Sequence, residues 1–330
     1  MPFKQKNLLT LSFCTAMLGA LPALPAAAQE KFPDRIVTFV VPFAPGGPTD
    51  AMARLLAAQL STELGQNVVV ENKAGAGGNI GAEGVARAKP DGYTIMFGTS
   101  GPLAINHSLY KEIRYDPRTS FEPVIYVGYL PNVLVVRPDL GVANVQELIA
   151  KEKSQSGKLN YASSGNGASS HLAGVMFNDM AGTHLVHVPF KGTGPALTSL
   201  LAGQVDMTFT DILTAMPYIQ SGKFKALGMT TAVRSKAMPD IPTLQEQGMK
   251  GFDVSVFFGV VAPKGTPPDR IKVLNEAFVR ALASPKVKQT FATQGLELSP
   301  DQSPAYLGQF IRKETDAWAK VVKTSGVRLD

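Results

Sequence analysis

Apolar positions along this chain keep two periods that take turns. Short β-branched runs such as Val37-Thr38-Phe39-Val40-Val41 end in Gly- or Pro-bearing loops. Stretches with apolar residues at every third or fourth position then follow, as at Met52, Leu55, Leu56 and Leu60. The pattern predicts strands over 37–41, 68–71 and 93–98, each followed by a helix, over 50–64, 78–88 and 103–110. A longer extended run over 121–136 is broken by Pro131. Alternation then resumes with helix 145–153, strand 159–162, helix 170–181, strand 185–189, helix 195–201, strand 207–210, helix 213–220 and strand 226–230. A loop over 239–242 and a strand over 254–262 come next. Three helices close the chain, carrying Ile271/Leu274/Phe278/Leu282, then residues 287–293, then Leu307/Phe310/Ile311/Trp318/Val321. Alternating strand and helix is the signature of a parallel sheet covered on both faces. Two such blocks, joined by extended crossings near 121–136 and 224–232, predict an α/β protein of two Rossmann-like lobes with two hinge strands. Residues 29–128 and 229–330 belong to the first lobe and 129–228 to the second.

The first 28 residues follow a different logic. Lys4 and Lys6 precede an apolar segment over 8–24 and the small-residue run Ala26-Ala27-Ala28, which reads as a secretory signal peptide cut before Gln29. The apolar segment is too short, and too interrupted by Pro22, to serve as a membrane span. The single cysteine, Cys14, lies inside this signal behind the bulky Phe13, which argues against lipidation. The mature chain then has no thiol for disulfides or Cys-ligated zinc. A periplasmic monomer is expected. The full sequence carries 32 Lys+Arg against 26 Asp+Glu; residues 1–28 hold two of the lysines and no acid, which leaves 30 against 26, a formal +4. Without a dense basic run, that excess does not point to nucleic acid.

Candidate chemistry sits in the loops after the strands, where open α/β sheets take their ligands. In Pro42-Phe43-Ala44-Pro45-Gly46-Gly47-Pro48-Thr49-Asp50, Gly47 is placed to cap a helix whose first residue is Pro48. Asp50, third in the helix, can reach back to the cap's own N–H and can pair with Arg54. Bare N–H groups and the positive end of a helix make such a loop a ready anion site. Loops of similar composition recur at 75–79, 99–101, 163–169 and 190–194 and at Thr210-Asp211. They contain no arginine, and Lys191 is their only basic residue. Six of them on two facing lobes describe a cleft.

Enzyme signatures do not fit. Gly98-Thr99-Ser100-Gly101-Pro102 puts Pro102 where a nucleophile elbow needs its second glycine, and no phosphate-binding G-x-x-x-x-G-K-[ST] run exists. Gly75, Gly77 and Gly81 miss strict dinucleotide spacing at Ile80. His184 and His187, three apart on a predicted strand, point to opposite faces and argue against a shared metal. No cofactor or metal is expected, and a periplasmic hydrolase is the alternative from another class.

The segments PFAPGGPTD (42–50), VVVENKAGAGGNIGAEGVARAKPDGYTIMFGTSG (68–101), NYASSGNGASSHLAG (160–174), HVPFKGTGPALTSLLAGQVDMTFTD (187–211) and FFGVVAPKGTP (257–267) occur in this order along the mature chain. In them the chain resembles the substrate-binding proteins of the tripartite tricarboxylate transporters, the Bug family of periplasmic receptors. The resemblance implies a type II periplasmic-binding fold with a cleft between its lobes. It also implies a small carboxylate ligand (a di- or tricarboxylate, an aromatic acid or an acidic amino acid), delivery to membrane permease subunits, and no catalysis. A receptor that presents its ligand to a sensor kinase is the alternative within the fold. By this resemblance the binding role falls on Phe43, Ala44, Gly46, Gly47, Asp50, Asn79, Thr99 and Ser100 in the first lobe. In the second lobe it falls on Ser164, Gly165, Ser169, His171, Phe190, Lys191, Gly192 and Asp211. The chain departs from the family pattern at Ala168, Phe190 and Phe257, which bears on the identity of the ligand. A carboxylate at an anion site repels its ligand, so Asp50 is expected to cap rather than to touch it. His171, in a first helical turn, is expected to be neutral, donating to the ligand or serving a backbone group.

Overall fold

In a computed structural model that describes residues 1–2, 31–326 and 328–329, strand and helix alternate almost throughout. The expected signal peptide and its cleavage site lie outside the described residues, apart from residues 1 and 2. Among the described residues, every strand and helix belongs to the unit Phe32–Asp330. The chain begins with β1 (Val37–Val41), α1 (Pro48–Leu64), β2 (Val68–Asn72), α2 (Asn79–Ala86), β3 (Thr94–Thr99) and the short α3 (Asn106–Leu109). A 16-residue strand, β4 (Phe121–Val136), leads to α4 (Val145–Ser154), β5 (Asn160–Ser163), α5 (Ser169–Ala181), β6 (Val186–Pro189), α6 (Thr193–Leu201), β7 (Met207–Asp211), α7 (Ile212–Gln220) and β8 (Lys225–Met229). It ends with β9 (Ser255–Pro263), α8 (Pro268–Ala283), α9 (Pro285–Thr293), the two-residue β10 (Glu297–Leu298) and α10 (Pro304–Ser325).

The strands lie in the order β2-β1-β3-β9-β4-β7-β5-β6, with β8 and β10 also paired to β4. The parallel trios β2-β1-β3 and β7-β5-β6 occupy the two ends. β4 belongs to both. Its first part, Phe121 to Pro131, runs antiparallel to β9, and its last part, Asn132 to Val136, runs antiparallel to β7. The two halves of the sheet are thus two α/β lobes that share one strand.

Side chains alternate across this sheet as a pleat requires. Val37, Phe39 and Val41 join a core with Met52 and Leu56 of α1 and Leu274 and Phe278 of α8. Val40 and Met96 join the opposite core with Ala82 and Val85 of α2 and with Leu307 and Trp318 of α10. In β4 the alternation slips, since Val124 and Ile125 both face the first core. The pairing register with β9 shifts at that point, as an extra residue in a strand demands.

Three local expectations are corrected. Pro131 does not break the extended run: it is the last β4 residue paired with β9, opposite Ser255, where a missing N–H costs little. The helix expected over 103–110 divides into a wide turn at Gly101–Ile105 and α3. α1 begins at Pro48, as the Gly47-Pro48 pair predicts, and not at residue 50 where the helical period places it, because proline fits the first helical position and Gly47, in extended conformation, caps it.

Candidate functional site

The loops after β1, β3, β5, β6 and β7 open onto one cavity of about 780 Å3, lined by residues 43–50, 99–101, 164–170, 191–196 and 208–211 among others. α1, α5, α6 and α7 all start at this wall, with Pro48, Ser169, Thr193 and the cap residue Asp211 at the cavity. Each helix start carries N–H groups without an intrahelical acceptor and a partial positive charge. Four of them aimed into one space make a positive field from backbone alone. Among the described residues that line it, Lys191 is the one basic side chain, exposed and without an ion pair, and Asp50 and Asp211 are the acidic ones.

The first loop is held from inside. Asp50, 4% exposed, accepts the Gly46 N–H at 3.0 Å and Arg54 Nε at 2.9 Å through Oδ2, and Asn72 Nδ2 at 2.9 Å through Oδ1. The Arg54 bond, with the Gly46 and Asn72 bonds behind it, lowers the Asp50 pKa to about 2 against the opposing effect of burial. Asp50 therefore braces the loop, but it does not cap as expected: the N–H it accepts is that of Gly46 and not that of the cap residue Gly47. Gly46 has φ +86°, a conformation that glycine adopts without strain. Because its N–H is already engaged, the donors this loop can offer are those at the helix start.

The second lobe's loops are tied to one another. Phe190 N–H donates to Ser163 O at 3.0 Å and Gly192 N–H to Ser164 O at 3.1 Å, with Gly192 at φ +116° at the start of α6. Ser164 N–H donates to Ser170 Oγ at 3.0 Å, and Gly167 N–H to His171 Nδ1 at 3.1 Å. Behind them His171 stacks on His187 with ring centroids 4.0 Å apart, and His187 Nε2 lies 2.6 Å from Ser163 Oγ. Burial, aided by His187, lowers the His171 pKa to about 3, and burial lowers that of His187 to about 4. Both rings are neutral supports. Ser163 is fully buried and outside the cavity wall, so its contact with His187 presents no nucleophile there.

Of the residues expected at the site, Phe43, Ala44, Gly46, Gly47, Asp50, Thr99, Ser100, Ser164, Gly165, Ser169, Lys191, Gly192 and Asp211 line the cavity. Asn79, His171 and Phe190 do not. Asn79 is buried, and its Oδ1 accepts from Asn106 Nδ2 at 2.7 Å and Tyr115 Oη at 3.0 Å. His171 serves the backbone of Gly167, and Phe190 packs its ring against the core. Several of the hydroxyls also have partners within the protein. Ser100 Oγ accepts the Phe257 N–H at 3.2 Å, Ser164 Oγ lies 3.0 Å from Ser170 Oγ, and Ser169 Oγ accepts from Asn132 Nδ2 at 3.0 Å. Sequence reasoning missed Asn132, which lines the wall together with Thr193 and Thr210, two residues of the expected loops to which no binding role was assigned. The signal for Asn132 was present as the one amide in the apolar run over 124–136.

The model for the tripartite tricarboxylate transporter family receptor matches residues 52–327. Protein BugT of Bordetella pertussis is 39% identical over 311 residues, which span 93% of this chain and 94% of BugT. Among solved structures, the periplasmic binding protein BugD is 41% identical with a TM-score of 0.80, over 90% of this chain and 99% of BugD. An R. palustris protein with adipate is 37% identical with a TM-score of 0.82, over 90% and 99% of the two chains. MatC from Rhodopseudomonas palustris with bound malate is 37% identical with a TM-score of 0.80, over 88% and 100%. The chain belongs to the tripartite tricarboxylate transporter family of receptors, the family of the Bug proteins.

Proposed function

We propose that this protein is a periplasmic receptor that captures a small carboxylate and hands it to a tripartite tricarboxylate-type permease. The convergence of the α1, α5, α6 and α7 N-termini on one cavity carries this reading. Charge-assisted bonds from backbone N–H groups hold a carboxylate without a paired arginine. The ligand rests mainly on the N–H groups at the start of α1, with Thr99, Ser164, Ser169 and Gly192 around it and Lys191 at the rim. The relatives solved with adipate and malate support a carboxylate ligand.

The chain is secreted through the cleavable signal over 1–28 and works as a monomer beginning at Gln29. Its lobes, 29–128 with 229–330 and 129–228, swing together on the ligand about β4 and the return near 224–232. A thermal-shift panel of mono-, di- and tricarboxylates on purified mature protein tests the reading. A ligand at 100 times its dissociation constant adds about 2.7 kcal/mol to stability. A panel in which no carboxylate raises the melting temperature contradicts it.

A further inference from the structure

We propose that the ligand carries a hydrogen-bond donor, a hydroxyl or an ammonium group, beside its carboxylate, and that Asn132 with Asp211 selects it. The inference rests on the carboxylate-receptor reading and narrows the class of carboxylate.

Among the described residues, four buried side-chain polar atoms have no hydrogen-bond partner: His107 Nδ1, Asn132 Oδ1, Glu152 Oε2 and Gln294 Oε1. Only Asn132 belongs to the cavity wall. Its side chain is fully buried where β4 passes from one lobe to the other, and its Nδ2 is engaged by Ser169 Oγ at 3.0 Å. The remaining atom, Oδ1, is an acceptor, and a buried acceptor without a donor is a standing cost to the ligand-free protein.

Asn132 is not alone. It is the register partner of Asp211 across the antiparallel β4–β7 pair, and directly opposed residues point to the same face of a sheet. Asp211 also lines the cavity, with Oδ1 accepting the Thr214 N–H at 3.0 Å. Burial pushes its carboxyl pKa up, against the lowering effect of its hydrogen bonds with Thr214 and Thr193.

The wall thus presents two chemistries. The helix starts supply donors, which suit a carboxylate; the Asn132–Asp211 pair supplies acceptor oxygens, Asn132 Oδ1 first among them, which a bare carboxylate chain cannot use. A hydroxy or amino carboxylate satisfies both. A site built to bond such a group rejects the analogue that lacks it more strongly than an apolar site rejects an added methylene.

The test is titration calorimetry of the mature protein with matched sets that share a carbon skeleton: succinate, malate and aspartate; glutarate, 2-hydroxyglutarate and glutamate; tricarballylate and citrate; phenylpropionate, phenyllactate and phenylalanine. In each set that binds, the hydroxyl or ammonium member is expected to bind at least about tenfold tighter than the unsubstituted one. Which of the two leads identifies the donor. Asn132→Leu is expected to weaken the hydroxyl or ammonium member more than the unsubstituted acid and so to reduce that ratio, and the wild-type ratio stands alone should this variant not fold. Equal or tighter binding of the unsubstituted acids, or a ratio untouched in folded Asn132→Leu, overturns the inference and leaves the carboxylate receptor standing. Binding of no carboxylate at all removes both.

Discussion

Asp50 Oδ2 accepts the backbone N–H of Gly46 at 3.0 Å, so a buried carboxylate at the cavity wall is tied into the loop it braces. The negative charge is absorbed by Arg54, Asn72 and the loop itself, which leaves the start of α1 positive toward the cavity. An acidic residue is compatible with carboxylate capture on these terms.

Removing that brace has a defined cost. Asp50→Ala frees the Gly46 N–H, takes the carboxylate from Arg54 and leaves Asn72 Nδ2 only the Phe43 carbonyl, and is expected to destabilise the fold by about 2–4 kcal/mol in urea unfolding. With a folded pKa near 2 and an ordinary value of 3.8, Asp50 contributes stability that is present above pH 3.8 and lost as the pH falls through 2. Asp50→Asn is expected to flatten the stability profile over that window. A variant profile with the same acid limb means the charge is not held as described.

The rim and the loop separate by mutation. Gly46→Pro forces φ from +86° to near −65° and removes the N–H that Asp50 holds, so it is expected to abolish binding and lower stability together. Lys191 is exposed and has no ion pair among the described residues, and an exposed charge contributes about 0.2–1 kcal/mol. Lys191→Ala is therefore expected to weaken binding by less than about fivefold, with the difference shrinking in salt. Calorimetry on both variants checks the ranking; loss of all binding in Lys191→Ala reverses it.

Acid acts on the second lobe before it acts on Asp50. His171 at about 3 and His187 at about 4 lie below the ordinary 6.5, so the unfolded chain takes up protons that the folded chain refuses. Their contribution is constant above pH 6.5, falls as the pH drops from 6.5, and levels off near 4 to 3. The slope reaches about 1.4 kcal/mol per pH unit for each histidine. His187→Gln is expected to remove about half of the slope between pH 6 and 4.5 in denaturant titrations. An unchanged slope assigns the acid sensitivity elsewhere.

The strand–loop–helix over Val37–Leu64 was legible because each signal agreed: a β-branched run, paired glycines, proline at the helix start and apolar residues at helical spacing. The cavity loops were legible for the same reason, since they follow strands. What local pattern could not show was direction. Asn79 and His171 sit in or beside loops of the right composition, yet tertiary packing turns both inward, toward Tyr115 and toward Gly167. Asn132 escaped notice because an isolated amide in an apolar strand acquires meaning only when β7 and α5 arrive beside it. β10 is two residues long, too short for any period, and exists because Gly128, at φ +153°, lets the backbone of Glu297 approach where a Cβ would stand 2.1 Å from its carbonyl oxygen.

Closure about the shared strand belongs to the proposed function and is checked separately. If the lobes pivot about β4, small-angle scattering is expected to show a smaller radius of gyration when the protein is saturated with its tightest carboxylate. An unchanged radius at saturation removes the hinge.

The central claim, that helix starts hold a carboxylate charge, is tested most directly by one pairwise titration. The tightest carboxylate is compared with its primary amide, which matches it in size and shape but is neutral and brings N–H donors to a site made of N–H donors. Loss of charge-assisted bonds together with donor–donor opposition is expected to cost at least about 3 kcal/mol, more than a hundredfold in affinity, at one site per chain. An amide that binds within about threefold of the acid would contradict the account.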